Sequence, residues 1–154
     1  MKSLNMSKQL QSLLDEVGFV YRTLPGALQR VEAVTPTKGW RTFFHRQAKM
    51  LREQQQFLVT TVADWGHHLH PCVCLQVTER MNEVRYALAA RPGTPVLERL
   101  VHGVLADLRT LVISHLADAA KLAVRIGEDG LSTKLLDLLD QERKLAQAGK
   151  EVKV

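Results

Sequence analysis

Aromatic residues make up only 5% of the 154 positions, and no stretch alternates apolar and polar residues in the way a half-buried strand requires. Sheet architectures lean on both features, so a sheet-based fold is not expected. There is no glycine-rich phosphate loop, no Gly-x-Ser-x-Gly elbow and no Cys-x-x-Cys frame. Their absence removes the familiar signals of phosphoryl transfer, serine hydrolysis and dithiol chemistry. The two cysteines, Cys72 and Cys74, stand at i and i+2. That spacing suits a disulfide poorly and points to a reducing compartment, with the cytoplasm as the expected location. No uninterrupted apolar run approaches the ~20 residues of a bilayer span, so no membrane partner is expected. Asp15 and Glu16 also come too early for a secretory apolar region. Lys and Arg number 21 against 16 Asp and Glu, for a net +5. Such an excess permits an acidic partner such as nucleic acid without requiring one.

What is present is helix-forming. Leu, Ala, Val, Gln, Lys and Arg are plentiful, and the unbranched side chains among them lose little freedom in a helix. Leu10, Leu13, Leu14, Val17, Tyr21 and Leu24 form one stripe, which Pro25 should kink or end, with Leu28 and Val31 continuing the face. Phe44, Ala48, Leu51, Gln55, Leu58, Val62 and Trp65 follow in steps of three and four until Gly66. Gln55 reads as a polar residue on that seam, in need of hydrogen-bond partners. Pro71 opens a third stripe of Cys74, Val77, Met81, Val84 and Leu88. Thr94 and Pro95 form an N-cap and first turn for a long helix bearing Val101, Leu105, Leu108, Val112, Leu116, Ala119, Leu122 and Ile126. A last stripe carries Leu135, Leu138, Leu139, Glu142 and Leu145. The spacing predicts helices over about 6–33, 41–66, 71–90, 95–126 and 132–148 in one domain spanning 1–154. The expected architecture is all-α, a ferritin-like four-helix bundle with a short extra helix in the long crossover.

The stretch LVHGVLADLRTLVISHLADAAKLAVRIGEDGLSTKLLDLLDQERK resembles the end of a Dps protein, the starvation-induced branch of the ferritin-like superfamily. The resemblance rests on Ala119-Ala120, Gly127-Glu128-Asp129, Thr133, Leu135-Leu136 and Glu142-Arg143-Lys144. LQSLLDEVGFVYRTL and GWRTFFHRQAKMLREQQQFLVTTVADWG are similar in outline to the first and second helices of that family. The resemblance implies a stress-protection protein that assembles as a homo-oligomer and handles iron. It makes His45 and Asp64 the candidate ligands on the second helix. It also implies basic tails that hold nucleic-acid phosphates without regard to sequence, here Lys2, Lys8, Lys150 and Lys153. Frayed, solvated termini are the plainer reading of those lysines.

The departures bear on the chemistry. No histidine precedes His45, Lys49 and Thr60 stand where carboxylates are expected, and Leu145 follows Glu142 where a Glu-x-x-His motif would place its histidine. The ferroxidase ligand set therefore reads as incomplete. His45 and Asp64 lie about five turns apart on one helix, too far to share an ion within one chain. Elsewhere, Glu53, Glu98 and His102 read as solvated-face residues, and His115, close to Asp118, as a hydrogen-bonded histidine near the apolar stripe. Glu142 falls on a stripe, where a buried acid needs a cation or a proton.

The densest cluster of donor side chains is HHLHPCVC, from His67 to Cys74. It falls between the second helix and the crossover helix. His67, His68 and His70, with Cys72, would suit Zn, Cu or Ni better than iron. The plainer reading is a helix junction. Three functions remain open: an iron-handling stress protein, a non-catalytic bundle acting as a scaffold or interaction protein, and a DNA-associated bundle without metal chemistry.

Overall fold

The computed structural model describes residues 2–149, with side chains described from 4 to 148. It is an all-α, ferritin-like four-helix bundle with an additional helix in the crossover. The helices are α1 (Lys2–Val34), α2 (Lys38–Asp64), α3 (Leu75–Ala90), α4 (Pro95–Arg125) and α5 (Asp129–Gly149).

α1 and α2 form one antiparallel hairpin, α4 and α5 the other, and α1 packs along α4. The segment from Trp65 to Thr94 crosses from the end of α2 back to the start of α4, and α3 within it rests on α4 and α1. Gly93 fixes the far end of this return. Its φ is +73°, and a Cβ there would stand 2.9 Å from the Val34 carbonyl, so the start of α4 is pressed against the end of α1. α4 therefore runs antiparallel to α1 and in the same direction as α2, which lies diagonally across the bundle from it. Thr94 caps it by accepting a hydrogen bond from the Leu97 N–H at 3.3 Å.

Pro25 does not end α1. The helix runs on to Val34, and Leu28 and Val31 are fully buried on the same face as Leu14, Val17 and Tyr21. Proline has no N–H for the carbonyl four residues earlier, that of Tyr21, but tertiary packing of the stripe carries the helix past the missing bond. By length and composition alone α4 would also qualify as a membrane span. Its apolar stripe, from Leu97 through Val101, Leu108, Val112 and Leu116 to Ala123, is turned into the bundle.

Four helix starts differ from the spacing, with α1 and α2 beginning early, at Lys2 and Lys38 rather than near 6 and 41. α5 begins at Asp129 rather than near 132, because an acid in the first turn suits the positive end of the helix dipole. The Ser132 hydroxyl donates to the Ala120 carbonyl and ties that turn to α4. The crossover helix begins at Leu75, not at Pro71, with Cys74 at its N-cap in extended conformation. The backbone before it is engaged elsewhere. The His70 N–H donates to Asp15 Oδ1 at 2.8 Å, and the Gln11 side-chain amide donates to the His68 carbonyl at 3.0 Å. Leu69 lies over Gly18, where a Cβ would come within 3.0 Å of its side chain. A helical glycine costs about 1 kcal/mol against alanine. At position 18 it gives the crossover a seat on α1.

Candidate functional site

Five polar side chains are buried where the four bundle helices converge. Tyr21 comes from α1, Gln47 and Gln54 from α2, Arg109 from α4 and Glu142 from α5. Glu142 is 0% exposed and Arg109 3%. A buried carboxylate needs a cation or a full set of donors, and Glu142 has both. Its Oε2 accepts from Arg109 Nη1 at 2.7 Å, and its Oε1 accepts from the Tyr21 hydroxyl and the Gln54 amide, each at 2.7 Å. Arg109 is held in turn by Gln47 Oε1, 2.6 Å from Nη2, and by Gln54 Oε1 at 3.3 Å from Nη1. Only its Nε lacks a partner. Burial, and then the neighbouring Glu142 carboxylate, push the Tyr21 hydroxyl well above its ordinary pKa, so it remains a donor.

Di-metal carboxylate bundles use the same location in another way. They take a Glu from each of two helices and a Glu-x-x-His from each of the other two. Here α1 supplies Tyr21, α4 supplies Arg109, and α2 supplies Gln54 with Phe57 three residues on. α5 supplies Glu142 with Leu145 three residues on. One carboxylate, already neutralised by a guanidinium, replaces four. The residues present do not fit an iron centre, because a fixed positive charge stands among the groups that would have to attract the metal. A cavity of about 80 Å³ lies beside the cluster, lined by Phe43, Gln47, His102, Leu105, Arg109 and Leu145. It could hold a few waters, and its walls are mostly apolar.

The residues singled out from the sequence are dispersed. His45 is exposed near the start of α2 and pairs with Glu32 of α1 at 2.9 Å, while Asp64 closes the same helix about 28 Å away. His67 stacks on Trp65, with ring centroids 3.6 Å apart, and its Nδ1 lies 3.1 Å from the Trp65 carbonyl. His68 and His70 meet edge to face at 4.5 Å, and His70 Nδ1 is 3.3 Å from Asp15 Oδ2. Among the described residues no three His, Cys, Asp or Glu side chains gather as a metal site. Burial and the charges of Asp15 and Glu16 raise the Cys72 thiol, which disfavours the thiolate that binds metal. Cys74 is a small buried core residue. Lys8 is exposed on α1. The side chain of Lys2, and all of Lys150 and Lys153, lie outside the described residues.

Three polar assignments change. The buried amide of the α2 seam is Gln54, at 1% exposure, and Gln55 is only half-buried. The actual turn places 54 rather than 55 between Leu51 and Leu58. Glu98 and His102 are both expected on a solvated face; Glu98 is buried in the first turn of α4, and His102 is half-buried against the rings of Trp40 and Phe43. His115 pairs with Glu16 of α1, as a hydrogen-bonded boundary histidine should. Arg109 escaped notice because an arginine on an amphipathic helix usually reads as surface. Its signal was its position, four residues after Leu105 and three before Val112, inside the apolar stripe.

No protein-family profile and no curated protein matches the chain. Solved structures do. YcfI from Rhodopseudomonas palustris, to which a structural role is assigned provisionally, superposes with a TM-score of 0.84 at 13% identity. That match covers 97% of this chain and 95% of YcfI. The stress protein YciF of E. coli superposes with a TM-score of 0.78 at 15% identity, covering 96% and 98% of the two chains. At such low identities these likenesses establish the fold, and the chain shares with both a complete helical bundle of the ferritin-like kind.

Proposed function

We propose that this chain is a non-catalytic ferritin-like bundle, a stress-associated structural protein in which an internal ion pair occupies the place of a metal centre. The observation that carries this reading is the Arg109–Glu142 pair, 2.7 Å long and enclosed by Tyr21, Gln54 and Gln47 at the meeting point of four helices. A bundle that oxidises iron gathers carboxylates there and keeps coordination positions open. This one spends its single acid on its own arginine. The stress protein and the structural protein that share the fold favour the same reading. The proposal includes a cytoplasmic location and self-association into a homo-oligomer through the bundle's outer faces.

The test is aerobic Fe(II) oxidation together with light scattering on the purified chain. The expected result is oxidation at the rate of buffer alone, from a particle several times the mass of one chain. Protein-dependent oxidation that disappears in Glu142→Gln would return the chain to the iron-handling class. A stable monomer would remove the assembly from the proposal while leaving the ion pair in place.

A further inference from the structure

Three helices build the cavity beside the polar centre. Phe43 and Gln47 of α2, Leu105 and Arg109 of α4, and Leu145 of α5 form its walls. Positions 43 and 47, like 105 and 109, are one turn apart, so each pair shares a helix face. Ala106, Thr110 and Ala146 complete the lining. Ala106 and Thr110 are exposed, so the cavity opens to solvent through a rim of small side chains. Leu145 stands where a Glu-x-x-His motif would place its histidine, and an apolar wall takes the place of a metal ligand. The wall at Phe43 is braced by Trp40, which meets Phe43 edge to face at 5.8 Å and His102 at 5.6 Å.

One polar group of this lining is left over. Gln47 is 6% exposed, and its Oε1 accepts from Arg109 Nη2 at 2.6 Å. Arginine only donates, which fixes the orientation of the amide and leaves its Nε2 with two hydrogens to give. Among the described residues nothing accepts them. Nor is Nε2 sealed in protein as Arg109 Nε is, so it reaches the cavity that Gln47 lines. A buried donor left unbonded is costly. Arg109 carries the one permanent charge of the lining, and Glu142 balances it at 2.7 Å. The cavity thus offers apolar walls, an amide donor and no net permanent charge. An internal water makes about three hydrogen bonds, which walls of this kind cannot supply to several waters at once. Waters there are readily displaced.

We infer that this cavity is a binding site for a small neutral ring compound carrying one carbonyl-type acceptor. The acceptor meets Gln47 Nε2, and the ring lies against Phe43, Leu105 and Leu145. Size sets the class of ligand. An apolar cavity of about 150 Å³ encloses benzene. At about 80 Å³ this one takes part of a single six-membered ring, whose remainder lies at the rim between Ala106 and Ala146. Charge narrows it further: an anion gains little, because the guanidinium is already satisfied by Glu142. The site binds without reacting and needs no metal, so it does not rest on the function proposed above.

The experiment titrates the full chain with cyclohexanone and with methylenecyclohexane, in which a methylene group replaces the carbonyl oxygen on the same ring. Calorimetry gives the affinities, and the NMR shift of the Gln47 side-chain amide reports contact with the acceptor. Cyclohexanone should bind with a Kd on the order of 1 mM and move that amide resonance. Gln47→Glu keeps an oxygen for Arg109 and removes both N–H donors. It should weaken cyclohexanone about tenfold or more and methylenecyclohexane less than about threefold. Ala106→Leu and Ala146→Leu fill the rim from α4 and from α5, and each should abolish binding of both compounds. Circular dichroism verifies that the variants remain helical, and Gln47→Met replaces Gln47→Glu if that one does not. The inference is overturned if about 10 mM cyclohexanone leaves the Gln47 resonance in place. It is overturned too if both rim variants bind as the unmodified chain does, or if the Gln47 variant weakens the two compounds equally. Cyclohexanecarboxylate binding as tightly as the ketone would also overturn it, by assigning the site to the charge of Arg109.

Discussion

The middle of the bundle and the turn from His67 to Cys74 are opposites in how they assemble polar chemistry. The turn is rich in sequence but does not converge: of its three histidines and two cysteines, His67 stacks on Trp65, His68 meets His70, His70 pairs with Asp15, and Cys74 is in the core. The middle is sparse in sequence and convergent in space. Its five groups come from positions 21 to 142 and meet within hydrogen-bond distance. Convergence depends on which helix faces point inward, whereas density along the chain shows only that residues share a loop. The turn is pinned to α1 through Asp15, Gln11 and Gly18, and among the described residues no three of its donors gather as a metal site.

The comparison breaks first at its most expensive point. Glu142→Leu, or Arg109→Met, leaves the other charge buried without its counter-ion, which should cost about 3–5 kcal/mol in urea denaturation. Changing both together should recover most of that loss, since a well-packed apolar pair can match a buried ion pair. A single variant costing less than about 1 kcal/mol would mean that water or another group already serves the remaining charge. Asp15→Ala is next. It removes the acceptor of the His70 N–H and loosens the crossover from α1, for an expected 1–2 kcal/mol and faster hydrogen exchange through the turn. Full protection of the His70 amide in that variant would show that the turn is held by other contacts.

Tyr21→Phe should cost about 1 kcal/mol, because Gln54 and Arg109 still serve the carboxylate. It also carries a pH signature. The folded-state pKa of Tyr21 lies above its unfolded value of about 10, so its contribution is complete below that pH and is lost as pH rises through the folded value. Base-induced loss of stability above about pH 10 should therefore be weaker in Tyr21→Phe than in the unmodified chain. An unchanged alkaline limb would assign it to other groups. The smallest effect belongs to His67→Ala/His68→Ala, expected within about 0.5 kcal/mol of the unmodified chain. A larger loss would make the turn a structural element in its own right.

Most of the architecture was legible from spacing, because long amphipathic stripes on α1, α2 and α4 leave little freedom in how they bury. The start of α3 was not: Pro71 is a good first-turn residue, but the tertiary hydrogen bonds from Asp15 and Gln11 hold that backbone extended. Of the polar centre, Glu142 was legible as a stripe acid in need of a cation, and Tyr21 as part of its stripe. The cation itself was not legible. Arg109 lies 33 residues from Glu142 along the chain, and nothing in the local pattern of either helix names the other. The seam amide was displaced by one residue, since ideal periodicity cannot choose between Gln54 and Gln55 when both border the same face.

The central claim is that Arg109 fills the position a metal would hold. Anaerobic titration calorimetry of Fe(II) into the His67→Ala/His68→Ala/His70→Ala variant addresses it without interference from the turn. The account predicts only heats of dilution. Stoichiometric Fe(II) binding that survives loss of the three histidines and disappears in Glu142→Gln would contradict it.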